Sequence, residues 1–296
     1  MEYSGEVAGL ATAICWTATA MSFQVATRRI GSVSVNLIRL VFAFLFYVVY
    51  TRVFMGQWLP MDAPAKAWIY LSISGLIGFV LGDFFLFKSY EFVSSKISML
   101  IMTMAPPVAA LLGWFMMDEP FSAMNILGMV LVIAGVSLVI LKKDIENGIK
   151  KSRYPLKGIL FAFGGAVGQG VGAVFSKIGM GEYDAFASSQ IRVITGIVGF
   201  ALLISLTGRW KGVTRGFVDK KALKALTIGS FFGPFLGVSL GMIAFKYTSV
   251  GIASTLMATV PVFILLPSHI ILKEKLTLNE VLGALIAVAG IAIFFV

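Results

Sequence analysis

Apolar runs of about twenty residues, each closed by charges or by Gly, Pro and Asn, follow one another along almost the whole chain. Ten of them can be drawn, at approximately 7–27, 35–55, 67–87, 97–117, 123–141, 158–177, 187–207, 225–245, 251–272 and 278–296. An α-helix needs about 20 apolar residues to cross about 30 Å of hydrocarbon. The pattern therefore predicts an all-α membrane protein with ten transmembrane helices. The longest polar interruption, 142–157, is a linker that separates a first five-helix unit (1–141) from a second (158–296).

The two units resemble each other. Displaced by 155 positions, Gly78, Gly82, Ser94, Ile97, Met102, Pro106, Glu119, Gly128 and Gly135 fall on Gly233, Gly237, Ser249, Ile252, Met257, Pro261, Glu274, Gly283 and Gly290 without a gap. The first helices align at an offset of 149, and the second at 153, which sets Arg192 on Arg39. The large mismatch is Asp83, opposite Val238. Five helices per unit is an odd number, so the second copy must enter the membrane from the opposite side. Inverted-topology repeats of this kind belong to secondary transporters, with the substrate site near the midplane between the halves.

Composition supports the same class. Hydrophobic residues make up 58% of the chain and charged residues 13%, against about 25% charged in soluble domains. The net charge of +10 fits basic cytoplasmic loops, and with no room for a water-exposed basic domain it argues against nucleic-acid binding. Arg28, Arg29, Lys88, Lys96, Lys273, Lys275 and the basic clusters at 142–157 and 209–224 share one side. Arg52, Lys66, Lys177 and Lys246 share the other with most of the acidic residues. The first side is thus expected in the cytoplasm and both termini outside, in a prokaryotic inner or plasma membrane. Glu2 and Glu6 stand where a signal peptide would be positive. Cys15 is the lone cysteine, so no intramolecular disulfide can form.

These features resemble the EamA family of the drug/metabolite transporter superfamily. Its marks are the two five-helix repeats, Arg39 and Arg192 near the start of each second helix, Pro106 and Pro261 within each fourth helix, and Glu119 and Glu274 ending it. The resemblance implies a central cavity lined by the first, third and fourth helices of each half, with the fifth peripheral. It also implies cytoplasmic termini in many relatives, the reverse of what the charge distribution here predicts.

Asp83 leads the candidate residues. An aspartate inside a membrane helix costs about 2.5 to 3.5 kcal/mol on insertion scales, so it should face the interior and have a partner. It can bind a substrate ammonium, take up a coupling proton, or tie helices together. Arg39 and Arg192, placed in the first turns of their helices, can grip a carboxylate or snorkel to lipid phosphate. Glu119 and Glu274 can accept from the free N–H groups of the following helix, where Ser122 and Thr277 can cap. Pro106 and Pro261 break helical hydrogen bonding and are candidate hinges. Trp16, Gln24, Met102, Thr103, Gln169, Ser239, Met257 and Thr259 supply apolar walls and a few polar groups for a pocket. Gly164, Gly168 and Gly172, with Gly75, Gly78 and Gly82, form small-residue stripes suited to close helix packing. A nucleotide-binding glycine loop is a poor alternative without its strand and acidic residue. His269 has no companions for a metal site, and no cofactor is implied.

The expected function is secondary transport of a small polar or zwitterionic metabolite by alternating access, amino-acid export among the forms considered and proton coupling through Asp83 another element. Expected partners are the substrate and the lipid bilayer, with the chain a monomer. A channel would need rings of selectivity groups, and an intramembrane enzyme a convergent catalytic set. A C-terminal reporter active only in the cytoplasm should give no signal; a strong signal would reverse the predicted orientation.

Overall fold

A computed structural model of the chain describes residues 4–117, 122–141, 143–146, 149–247 and 256–294. Helices α1 (Ser4–Ile30) and α2 (Ser32–Phe54) are joined by Gly31 alone, whose φ of 82° suits glycine. Helix α3 spans Ala65–Ser89 and winds as a π-helix over Gly75–Gly82. Helix α4 is in two pieces, Ser95–Met102 and Ala105–Met117, and α5 spans Ala123–Ile140. The linker carries an antiparallel ribbon, β1 (Lys143–Glu146) with β2 (Ile149–Ser152). The second half follows as α6 (Leu156–Met180), α7 (Ala185–Thr207), a short α8 (Trp210–Val218), and α9. Helix α9 runs through Lys220–Ser230, a π-segment Phe231–Gly237, and Val238–Tyr247. It is followed by α10 (Val260–Ile271) and α11 (Leu278–Phe294).

Seven helices among the described residues are long and apolar enough to cross a membrane, namely α2 to α7 and α9. Helices α10 and α11 are apolar but shorter over their described lengths. Helix α1 has 27 residues, yet it turns a polar stripe of Thr12, Thr17, Gln24 and Thr27 into the protein interior. Its inward face, rather than lipid, sets its composition. Helix α8 was not expected: the basic stretch at 209–224 reads as a link, but it buries Val213 and Gly216 and leaves Trp210, Phe217 and Val218 exposed. Asp219 then caps α9 through the N–H groups of Lys221 and Ala222 at 3.1 and 3.0 Å. These bonds, foremost that from Ala222, and the Arg29 guanidinium hold its carboxyl below the usual range.

The halves interlock rather than merely abut. Helix α6 packs on α3 of the other half, α1 packs on α9, α2 on α7, and α5 on α11. Glycine permits these approaches. A Cβ on Gly168 would stand 2.6 Å from the Gly82 Cα, and one on Gly172 would stand 2.9 Å from the Gly78 Cα. Gly78 and Gly82 of the α3 stripe therefore face Gly172 and Gly168 of the α6 stripe, while Gly75 packs on Arg192 and Thr195 of α7. Gly135 and Gly283 do the same for α5 and α11, where a Cβ on either would come within 2.6 Å of the other's carbonyl oxygen. Such contacts are how membrane helices gain van der Waals packing when lipid is as apolar as their side chains.

The α1–α2, α3–α4 and α5–α6 connections, with Arg28, Arg29, Lys88 and Lys96 among their residues, make up a basic face. Gly168→Ala forces α3 and α6 apart and should cost about 1–3 kcal/mol by overpacking, read as a lowered melting temperature in detergent, whereas Gly56→Ala, in open space but at a positive φ, should perturb only its own loop.

Candidate functional site

Asp83 is the first residue after the π-segment of α3. Extra residues per turn, made easy by Gly75, Gly78 and Gly82, leave carbonyls without their usual α-helical partners. The Gly78 carbonyl accepts from Gln169 Nε2 of α6 at 3.1 Å. The same Nε2 donates to Asp83 Oδ1 at 2.6 Å. On the other side Asp83 Oδ2 forms an ion pair with Arg39 of α2. Asn36 completes the group: its Oδ1 accepts from Arg39 Nε at 3.1 Å, and its Nδ2 donates to the Asp83 carbonyl at 3.3 Å. The Arg39 guanidinium also lies over Phe87, Phe79 and Phe23, at 4.7, 5.6 and 5.7 Å from their centroids. Asp83 and Arg39 are 6% and 3% exposed, so this is a buried, fully engaged pair.

Arg192 differs. Like Arg39 it is the eighth residue of its helix, and it is 6% exposed. The placement of both arginines in first turns, with snorkelling to lipid, is therefore corrected: α2 begins at Ser32 and α7 at Ala185, and both side chains turn inward. The Arg192 guanidinium lies over Phe79 at 4.6 Å from its centroid, a ring it shares with Arg39. Its Nε is buried and has no hydrogen-bond partner. Among the described residues it makes no ion pair. The position corresponding to Asp83 in its own half is Val238.

The remaining predicted residues do not gather in one place. Gln169 joins Asp83, as above. Trp16 and Met257 meet in one cluster with Ala8 and Ala244, against Gly237 and Gly241 of α9. Ser239 is close to Tyr47, whose hydroxyl donates to the Pro234 carbonyl at 2.6 Å and lies 3.1 Å from Ser239 Oγ. Tyr47 thereby satisfies the second π-segment as Gln169 satisfies the first. Thr103 sits at the break in α4, with its hydroxyl on the Leu100 carbonyl, and Met102 packs toward the core beside it. Thr259 bonds the Leu256 carbonyl just before α10. Pro106 and Pro261 are each the second residue of a new helical segment, where a missing N–H costs nothing. The break precedes each proline by two or three residues rather than kinking at it.

Gln24 lies elsewhere, on the basic face. Its Oε1 accepts from the Ser95 amide and its Nε2 donates to Glu274 at 3.0 Å. Lys96 beside it is 7% exposed; its ammonium donates to Glu280 at 3.1 Å and to the Lys275 carbonyl at 2.7 Å, and is 3.9 Å from Glu274. Tyr154 donates to the other Glu280 oxygen at 2.7 Å. This is a latch of α1 and α4 from the first half against the α10–α11 connection and α11 of the second. Sequence reasoning missed it, counting Lys96 as a surface charge of a basic loop and passing over Glu280. The assigned capping role of Glu274 is corrected too: Glu280 accepts from the Thr277 amide at 2.9 Å, while Glu274 faces Gln24. Ser122 caps α5 as expected, in a capping box with Asn125. Glu119 lies outside the described residues. His269 Nδ1 meets the Glu274 carbonyl at 2.9 Å, and no cluster of three metal-binding side chains occurs among the described residues.

Clefts of about 370 and 330 Å³ open on the basic face, beside Arg29, Arg215 and Asp219 and beside Lys88, Glu91 and Arg209. Neither is lined by Asp83 or Arg192, so the functional argument rests on the buried charged groups.

A helical membrane protein built of two interlocked repeats, with a buried charged cluster where they meet, has the make-up of a transporter. The EamA-like transporter family profile matches residues 3–141 and again 156–296, and the chain belongs to that family. It is a multi-pass membrane transporter of the drug/metabolite transporter superfamily. Among solved structures, one titled only as the crystal structure of a protein shares the fold, with a TM-score of 0.66 and 15% identity over 99% of this chain and 96% of that one. No curated protein sequence matches the chain.

Asp83→Asn should lower the melting temperature, since leaving Arg39 buried without its counter-ion costs about 3–5 kcal/mol. The double replacement Asp83→Leu with Arg39→Met should recover most of that loss, as a double-mutant cycle will show.

Proposed function

We propose that the protein is a secondary transporter that moves a small polar or zwitterionic metabolite by alternating access. In this reading all ten predicted helices span the membrane, α1 to α5 in a first repeat (1–141) and α6, α7, α9, α10 and α11 in an inverted second repeat (158–296), joined by the polar linker. The basic face is cytoplasmic and both termini are outside, in a cell membrane. The chain works as a monomer, with its substrate and the bilayer as partners.

The observation that carries this reading is the pair of matched discontinuities. Helix α4 is interrupted at Thr103 and Met104, and the chain before α10 turns at Ala258 and Thr259, which correspond at the offset of 155. Interrupted helices at midplane depth are tolerated where they border protein or a wet cavity, and a short non-helical step absorbs rotation that a continuous helix resists. Pro106 and Pro261 fix each step in place and serve as hinges. The basic-face latch of Gln24, Lys96, Glu274 and Glu280 then holds one end of the pathway shut. Rocking the halves must open it.

Asp83 and Gln169 are the groups for substrate binding or proton coupling, because their hydrogen bond joins α3 of one half to α6 of the other. Trp16, Ser239 and Met257 form a second wall toward the opposite face, and Met102, Thr103 and Thr259 lie at the moving steps. Amino-acid export is the specific form to test first.

Purified protein in liposomes should support saturable uptake with counterflow of a preloaded substrate, found by screening amino acids, amines and nucleosides for thermal stabilisation. Unsaturable conductance without counterflow would show a channel instead. Glu280→Gln should loosen the latch: losing one partner of a buried pair, at about 3–5 kcal/mol, is enough to shift a two-state equilibrium more than 100-fold. Transport rate should change with no change in the order of substrate preference.

A further inference from the structure

The buried polar cluster carries two guanidiniums and one carboxylate. Asp83 is committed to Arg39 and Gln169, while Arg192 stacks on Phe79 and has a buried Nε with no partner. A guanidinium cannot shed its proton in a protein, so Arg192 stays cationic although it is 94% buried, being 6% exposed. An isolated buried charge is costly unless something compensates it. Phe79 offers only a quadrupole, which it already shares with Arg39. The repeat explains how the imbalance arose: the fold places an arginine at the eighth residue of α2 and of α7, and supplies a carboxylate after only one π-segment, Val238 following the other.

We propose that Arg192 is the anion-binding group of this transporter and that its substrates carry a carboxylate, which completes the missing ion pair. The inference rests on the transporter reading above and deepens it. The surroundings suit such a ligand. Arg192 Nη2 borders Gly78, with Gly172 behind it, so backbone without side chains flanks the fork. A planar fork accepts both oxygens of a carboxylate in two parallel hydrogen bonds. Gln169 borders the same side of Gly78, its Oε1 3.9 Å from where a Gly78 Cβ would stand, while its Nε2 is taken by the Gly78 carbonyl and Asp83. The site therefore bears one net positive charge before substrate enters. With Asp83 engaged by Arg39 and Gln169, a cationic amine without a carboxylate meets net repulsion there. The same chemistry would hold a phosphate ester, so the test must separate the two.

The test is melting temperature of the detergent-purified full chain in chloride-free buffer. The probes are monocarboxylates, L-amino acids, inorganic phosphate and sugar phosphates, with amides and amino alcohols of matched carbon skeleton as carboxylate-free controls. Wild type should be stabilised by carboxylates and not by their amides. Arg192→Gln should melt higher than wild type without ligand, because it removes an uncompensated charge, and should lose about 10- to 100-fold in apparent affinity for the best carboxylate. Arg192→Lys, which keeps charge but not the fork, should fall between. A purely structural Arg192 predicts the opposite for the first reading, with Arg192→Gln melting lower and wild-type ligand shifts retained. The inference is overturned if amides stabilise as well as acids, if phosphates stabilise and carboxylates do not, if no anion stabilises wild type, or if Arg192→Gln binds as wild type does. Liposome flux separates the two levels: carboxylate binding that depends on Arg192 without any flux would sink the transporter reading and keep the anion site, whereas flux independent of Arg192 would do the reverse.

Discussion

A guanidinium inside a membrane cannot neutralise itself, and that constraint shapes the middle of this protein. The duplicated fold sets one arginine in the third turn of α2 and another in the third turn of α7. Around the first, the chain has built a full complement of partners: a carboxylate, the Asn36 amide and three aromatic rings. Asp83 reaches Arg39 because the glycine-rich π-segment before it lets α3 press against both α2 and α6. Exchange of Asp83 for an apolar residue would leave not a neutral core but a second uncompensated cation.

The glycine seam makes that electrostatic cluster a property of both halves. Gln169 neighbours Gly168, whose Cα could not approach Gly82 so closely if either residue carried a side chain. Close backbone contact is what brings a side chain from α6 within 2.6 Å of Asp83. A relative shift of the repeats by even one side-chain width therefore breaks a charge-assisted hydrogen bond and the Gln169 contact with the Gly78 carbonyl. The packing seam and the charged cluster are one structure. The same logic holds for α5 and α11, but without charge: their glycine contact is purely packing, consistent with a peripheral pair.

Much of this was legible in the sequence. The apolar runs located the long helices, though not α8, the offset of 155 revealed the duplication, and the mismatch of Asp83 with Val238 singled out the aspartate. The stripes at Gly78, Gly82, Gly168 and Gly172 announced a tight seam. What sequence could not supply was partner choice. Arg39 looked like an interfacial residue because a helix start three residues too late put it in the first turn. Lys96 and Glu280 were hidden because a charge near a helix end reads as solvated, and only tertiary packing over a separation of 184 residues joins them. The π-segments were illegible for a similar reason: an apolar glycine-rich run is equally compatible with α and π winding, and the choice is made by Gln169 and Tyr47, which arrive from other helices to satisfy the carbonyls.

The duplication also explains why the two membrane faces need not behave alike. At the offset of 155, Lys96 and Glu280 correspond in sequence to Gly251 and Asn125, and Glu274 to Glu119. Of the two latch carboxylates, only Glu274 has its like in the other copy. Asn125, where the second half has Glu280, is engaged in capping its own helix with Ser122. The framework is thus nearly symmetric while the charges are not, with an ion pair across the basic face that the chain cannot form between the equivalent positions on the other. An inverted repeat with identical halves would weight its two access states equally. In the alternating-access reading proposed above, the buried Lys96–Glu280 pair must be broken only when the basic face opens, so the asymmetry of the charges, and not of the helical framework, would set the two access states apart.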